Sequence, residues 1–211
     1  MAQKAIVYVD GFNLYYGIKK TSPKSKWLNI ACVVEKLLPR VEIVGIKYFT
    51  APVSGRPGDK DMPTRQQTYL RALKTLPGME IIYGHFLAHT VSMRLATPLA
   101  GQDYARVIKV EEKGSDVNLA SHLLLDAFYK RFEVAVVISN DSDLVTPIRM
   151  VQEQMGFNVF VLNPHPKHGS HQLRRFAKAV KPIRKGVLQS CQFPDTLHDG
   201  RGKITKPSKW K

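Results

Sequence analysis

The chain alternates short apolar runs with longer stretches of helical spacing. Runs over 5–9, 43–49, 79–86, 134–139 and 158–162 are nearly continuous in Ile, Val, Tyr and Phe. Such runs predict strands of a sheet covered on both faces, because no polar alternation marks a solvent side. Between them lie helical patterns. Residues 29–38 carry Ile30, Val33, Val34 and Leu37 on one side. Residues 64–76 carry Tyr69, Leu70, Leu73 and Leu76, and Pro77-Gly78 ends the pattern. Residues 117–129 carry Leu119, Leu123, Leu124 and Phe128, with Asp116 as a candidate N-cap. Residues 144–155 and 170–179 follow the last two strands. Strand and helix in alternation predict an α/β fold, a three-layer α/β/α sandwich on a mainly parallel five-stranded sheet. Residues 88–112 are less regular, with 107–110 alternating as an edge strand or hairpin arm. Residues 55–63 read as a loop. Periodicity is lost from Gly186 onward. The expectation is therefore one domain over 1–185 and a basic, flexible tail over 186–211.

Composition changes this picture in three places. No apolar stretch reaches the roughly 18 residues that a membrane helix needs, and the N-terminal run ends on Asp10 without a cleavage site, so neither a membrane span nor a signal peptide is expected. The two cysteines, Cys32 and Cys191, are far apart in sequence and form no metal-ligand pair. They read as free thiols of a cytoplasmic protein, with no disulfide. The charge is +15 with a pI of about 9.9. Residues 163–211 hold twelve Lys/Arg against two Asp, a net +10. A basic surplus of this size predicts a polyanionic partner, with nucleic acid ahead of membrane.

Within that basic chain, carboxylates stand where strands end. The stretch "VYVDGFNLYYG" gives Asp10 and Asn13, and "VVISNDSDLVTP" gives Asp141 and Asp143. A third acid, Asp116, opens a helix in "EEKGSDVNLA". Open α/β sheets build their sites at the carboxyl ends of strands, where strand order reverses. Neighbouring first and fourth strands would bring these acids together. Two carboxylates about 4 Å apart repel by roughly 4 kcal/mol at an effective dielectric near 20, so a proton, a Lys/Arg or a metal must offset them. Oxygen ligands without His or Cys suit Mg²⁺ or Mn²⁺. On a basic protein that combination points to phosphodiester hydrolysis. The plainer reading of Asp141, Asp143 and Asp116 is a turn and helix caps, since Ser, Asn and Asp favour both.

Taken together, "YVDGFNLYYG", "RQQTYLRAL", "EEKGSDVNLASHLLLDAF", "VVISNDSDLVTPIR", "NVFVLNP" and "HQLRRFA" resemble the NYN domain, in its LabA-like branch of the PIN-like metal-dependent ribonucleases. The resemblance covers roughly residues 4–183. It implies a PIN-like sandwich, cleavage of RNA with Mg²⁺ or Mn²⁺, and Asp10, Asp116, Asp141 and Asp143 as the catalytic, metal-binding cluster. Asn13 matches the family's DGxN and would orient Asp10 or a water. Ser139 matches the Ser of S-x-D-x-D and would support the cluster. Two positions depart from the pattern. Asn140 and Ser142 stand where relatives often have glycine, and His122 stands where some relatives carry a further acid, with Asp126 one turn later as a candidate substitute.

Other residues carry competing readings. Lys113 would hold a phosphate or an acid, or sit in a solvated turn. Lys167, Arg174 and Arg175 are candidates for RNA phosphate contacts. Arg65, Arg71 and Lys74 read as a solvated helix face or as phosphate ligands. Tyr15 and Tyr16 stack a base or pack in the core. His165, His168 and His171 fit no zinc spacing. The expected activity is endoribonuclease action on RNA, single-stranded by preference, with homo-oligomerisation left open. The alternative is an RNA-binding regulatory module with a degenerate metal site. A phosphatase of the Asp-nucleophile kind would need an Asp where Phe12 stands, and no G-x-G-x-x-G follows the first strand for a dinucleotide.

Overall fold

The computed structural model describes residues 2–99 and 101–210. The elements in chain order are β1 (Gln3–Asp10), α1 (Gly11–Thr21), α2 (Ile30–Leu37), β2 (Val41–Thr50), α3 (Met62–Leu73), β3 (Met79–Tyr83), β4 (His85–Leu99) and β5 (Gln102–Lys113). They continue with α4 (Ser115–Phe128), β6 (Val134–Ile138), α5 (Val145–Arg149), β7 (Asn158–Asn163), α6 (His171–Phe176), β8 (Ala179–Pro182), α7 (Lys185–Ser190), β9 (Thr196–Asp199) and β10 (Gly202–Thr205).

Six strands form one parallel sheet in the order β3-β2-β1-β6-β7-β8. The chain winds outward from β1 to β3, then crosses back to the other side of β1 and winds outward again. The switch point therefore falls between β1 and β6, whose registers pair Val9 with Ile138. The fifth predicted strand is followed by a sixth, β8. It has only four residues, includes Lys181 and Pro182, and lies at the sheet edge, so it leaves no long apolar run to read.

Alternate residues of the central strands feed opposite layers. Val7, Val9, Val136 and Ile138 pack with α1, α2, α3 and the C-terminal segment. Ile6, Tyr8, Ala135 and Val137 pack with α4, α5 and α6 through Leu119, Leu123, Ile148 and Leu173. Both faces are thus apolar, which explains the absence of alternation in the sequence.

Three segments differ from the sequence reading. The predicted run over 79–86 breaks at Gly84: β3 ends, and β4 leaves the sheet to pair antiparallel with β5 as a two-stranded ribbon. A Cβ on Gly84 would stand 2.5 Å from the Lys113 carbonyl oxygen, so only glycine lets the two arms cross at the ribbon's base. The helix after β6 opens as a 3₁₀ turn over Ser142–Leu144 and closes as a π turn over Met150–Gln154, where Met155 N donates to Met150 O at 3.2 Å.

The segment after Gly186, expected to be a flexible tail, is folded. Phe193, Ile204 and Trp210 are buried in the core, and the Trp210 ring stands 6.0 Å from Tyr69 and 6.3 Å from Trp27. Arg71 clamps the β9–β10 hairpin, its Nε and Nη2 donating to the Asp199 carboxylate at 2.7 and 2.5 Å. Arg71 is therefore a structural clamp. Cys32 and Cys191, read as free thiols, form a disulfide with Cα atoms 5.4 Å apart. Their separation of 159 residues hid a proximity that arises only because the C-terminus folds back onto α2. Among the described residues, no helix is long and apolar enough to cross a membrane.

Candidate active site

The β1 strand drives Asp10 to the switch point, where it is 5% exposed. Asp10 also caps α1, accepting from Asn13 N at 2.9 Å through Oδ1. Its other oxygen accepts from Ser139 Oγ at 2.9 Å, and Ser139 is the first residue past β6. Ser139 Oγ in turn accepts from Asp141 N at 3.0 Å. Asp141 caps the 3₁₀ turn by accepting from Asp143 N at 2.9 Å. The cap reading and the site reading of Asp10 and Asp141 thus coexist: a backbone N–H group fixes one oxygen of each carboxyl group.

Asn13 ties the two strand ends together. Its Oδ1 accepts from Asn140 N at 3.0 Å, and its carbonyl oxygen lies 3.2 Å from His165 Nε2. The Asn140 side chain, one departure from the family pattern, turns toward the next strand loop, where its Oδ1 accepts from Ser170 N at 3.0 Å. It anchors the entry to α6. Ser170 caps that helix by accepting from Leu173 N at 3.3 Å.

Asp116 enters from the first turn of α4. Electrostatics show how the acids are grouped. Burial pushes the Asp10 carboxyl up to about 7, and the charges of Asp116 and Asp141 push in the same direction against the Asn13 and Ser139 hydrogen bonds. Asp116 is also raised, by burial first and then by Asp141, Glu112 and Asp143. The structure therefore brings Asp10, Asp116, Asp141 and Asp143 to one end of the sheet. Among the described residues, no Lys or Arg forms an ion pair with any of these four.

Glu112 was not singled out in the sequence. It stands one residue before the end of β5 and accepts from Ser115 N at 3.2 Å and Ser115 Oγ at 2.7 Å, holding the start of α4 while adding its charge to Asp116. The signal was present as an acid three residues before a helix-opening Ser, but the edge strand or hairpin arm read over 107–110 stops short of Glu112.

Other candidates are placed elsewhere. Lys113 pairs with Glu111 at 3.6 Å and not with the cluster. Asp126, the substitute considered for the acid missing at His122, is fully buried behind the sheet and accepts from Tyr8 Oη at 2.7 Å, Lys47 Nζ at 2.7 Å and Arg131 Nη1 at 2.9 Å. Burial opposes its charge, but these donors outweigh burial and hold its carboxyl below the usual range. It is a structural anion with no free oxygen face. His122 lies 3.2 Å from the same Lys47 ammonium and packs edge-on against Phe49. Lys167, Arg174 and Arg175 are exposed on the loop and helix following β7; Arg175 lies 5.3 Å over the Phe176 ring.

The sequence model of the NYN domain family matches residues 4–183. The chain belongs to the NYN domain family. It is also 29% identical, over 97% of its length and 74% of the relative's, to a Pseudomonas putida protein named 6-hydroxy-3-succinoylpyridine 3-monooxygenase. Among solved structures it is similar to a protein of unknown function from Vibrio parahaemolyticus, with a TM-score of 0.55 at 17% identity over 87% of this chain and 94% of that one. That likeness concerns the fold. As an NYN domain, the chain is nuclease-like, and its acids fall on the family segment, whereas α7, β9 and β10 lie beyond it.

The donor set tests the divalent metal that the family implies. The acids supply hard oxygens, and their charge is not offset by neighbouring cations, which fits Mg²⁺ or Mn²⁺. Among the described residues, no three His, Cys, Asp or Glu side chains stand close enough to hold an ion as they are. Asp143 is exposed, and Asp116 and Asp141 are half-buried.

Proposed function

We propose that this NYN domain is a metal-dependent endoribonuclease acting on single-stranded RNA in the cytoplasm. The observation that carries the reading is a set of carboxylates, unpaired with any Lys or Arg among the described residues, at the switch point of a chain carrying +15. A Mg²⁺ or Mn²⁺ ion there would supply charge neutralisation and Lewis acidity toward a phosphate oxygen. Asp10, Asp116, Asp141 and Asp143 would hold it. The chain's other groups position these acids. Asn13 N and Ser139 Oγ fix the two oxygens of Asp10, and Asn13 Oδ1 locks the β6 loop to α1. Lys167, Arg174 and Arg175 would take RNA phosphates on the same sheet end. The Cys32–Cys191 bond is the feature that weighs against a cytoplasmic setting, where disulfides are rare.

The test is cleavage of single-stranded RNA with Mn²⁺, with Mg²⁺ and with EDTA. Cleavage is expected with either metal and not with EDTA, and Asp141→Asn should lower it by about 100-fold or more while the protein stays folded. Wild-type cleavage by that variant would refute the assignment. RNA binding that weakens with salt, without cleavage, would instead favour a binding module.

A second reading has one observation in its favour. The relative that aligns along nearly the whole chain is named for oxygenation of a substituted pyridine, and an aromatic cavity opens beside the acids here. Turnover of such a pyridine acid, with no metal-dependent RNA cleavage, would select this reading.

A further inference from the structure

A cavity of about 420 Å³ adjoins the acidic end of the sheet. Glu112 and Gly11, the neighbour of Asp10, lie at one side of it. Its volume falls within the ~300–1,000 Å³ of ordinary small-molecule sites. Two features set it apart from a gap between elements.

The first is aromatic. Phe12, Tyr15 and Tyr16 come from α1, Phe86 from the base of the ribbon, and Trp210 from the folded-back C-terminus. Phe12 and Phe86 meet edge to face at 5.6 Å, and Tyr15 and Tyr16 at 5.5 Å. Tyr16 is 45% exposed, so its ring is available to a ligand.

The second is charge. Lys19, Lys26, Arg56, Arg65 and Lys209 also line the cavity, and Asp59 is the acid on that side. Arg65 and Lys209 both bind Asp59, at 2.6 and 2.9 Å. Among the described residues, no carboxylate pairs with Lys19, Lys26 or Arg56. Lys26 Nζ stands 5.8 Å over the Tyr15 ring. Burial, and then Lys19, Arg65 and Lys209, push its ammonium below the ordinary lysine range, with Asp59 opposing. Lys19 and Lys26 repel each other beside Arg65 and Lys209, and an anion bound between them would relieve that repulsion.

We propose that this cavity binds a single nucleotide, its base against the Tyr and Phe rings and its phosphate against Lys19 and Lys26. Stacking on aromatic rings tolerates any base, and the lysines read only the phosphate, so the site would select nucleotides without strong base preference. Lys209 and Trp210 lie outside the family's matched segment, so the C-terminal closure supplies part of the lining. The proposal rests on the ribonuclease reading for its ligand class. A bound nucleotide beside Glu112 and Asp10 would hold the adjoining RNA strand at the acids.

The test needs no turnover. Equilibrium dialysis of the full chain in EDTA would compare AMP, adenosine, inorganic phosphate and nicotinate. AMP is expected to bind at least about tenfold more tightly than adenosine or phosphate alone. Lys26→Met, which keeps the stem over Tyr15, should weaken AMP about tenfold and leave adenosine unchanged. Lys19→Ala, at an exposed position, repeats the test should Lys26→Met fail to fold. Nicotinate binding without AMP binding would overturn the nucleotide assignment in favour of a small aromatic acid. Phosphate binding as tight as AMP, or no binding in any arm, would also overturn it. AMP binding in a protein that never cleaves RNA would keep the cavity assignment and refute the nuclease reading alone.

Discussion

At the residue scale, the acids at strand ends were legible because burial and polarity conflict there: an apolar run that stops on Asp must deliver that Asp to the edge of a core. Asp10 is the sharpest case. Its carboxyl is pushed up to about 7 by burial and by Asp116 and Asp141, against an ordinary value near 3.8. The folded state therefore holds this proton more tightly than the unfolded chain. Stability from Asp10 is intact below about pH 4 and is lost as pH rises toward 7, by roughly 4 kcal/mol at most. In EDTA, Asp10→Asn should be more stable than wild type at pH 8, and the gap should close toward pH 4. Thermal denaturation across that range checks the sign; parallel curves for the two proteins would contradict it. Asp126 shows the limit of residue reading. The family resemblance, with an acid missing at His122, made it a candidate ligand one turn later, whereas Lys47, Tyr8 and Arg131 come from places that sequence position cannot reveal.

At the element scale, five of the six parallel strands and most helices were legible because each carries an apolar run on the side it buries. What was not legible is what tertiary contact creates. Helix α1 carries two glycines and two adjacent tyrosines and has no clean stripe in sequence, yet it seats against the loop after β7. A Cβ on Gly17 would stand 2.5 Å from the Pro164 carbonyl oxygen and 2.7 Å from its Cβ. That contact sets the distance between Asn13 and His165. Gly17→Ala should cost about 1–3 kcal/mol by forcing the loop away, as read from urea unfolding. Unchanged stability would mean that the close approach is not needed. The β4–β5 ribbon was legible only in part, through the alternation over 107–110 that reads as an edge strand or hairpin arm. Its large apolar residues, including Met93, Tyr104 and Ile108, are exposed, so no burial pattern marks the full length of its arms.

At the scale of the whole molecule, two charge distributions sit side by side. The chain is strongly basic, while the switch point between β1 and β6 is acidic, and among the described residues no Lys or Arg pairs with its aspartates. The C-terminal segment, expected to float free, instead closes the α2–α3 side through Trp210, the Arg71–Asp199 clamp and the Cys32–Cys191 bond. Its burial rests on a few single anchors rather than a periodic face, which is why composition alone read it as a tail. The account depends on one claim, that aspartates from β1, α4 and the β6 loop converge on a divalent cation. Calorimetric titration of the metal-free protein with Mn²⁺ tests it most directly. The account predicts saturable binding in wild type that weakens at least about tenfold in both Asp116→Asn and Asp141→Asn. Binding of equal strength in all three proteins, or no saturable binding in wild type, would contradict it.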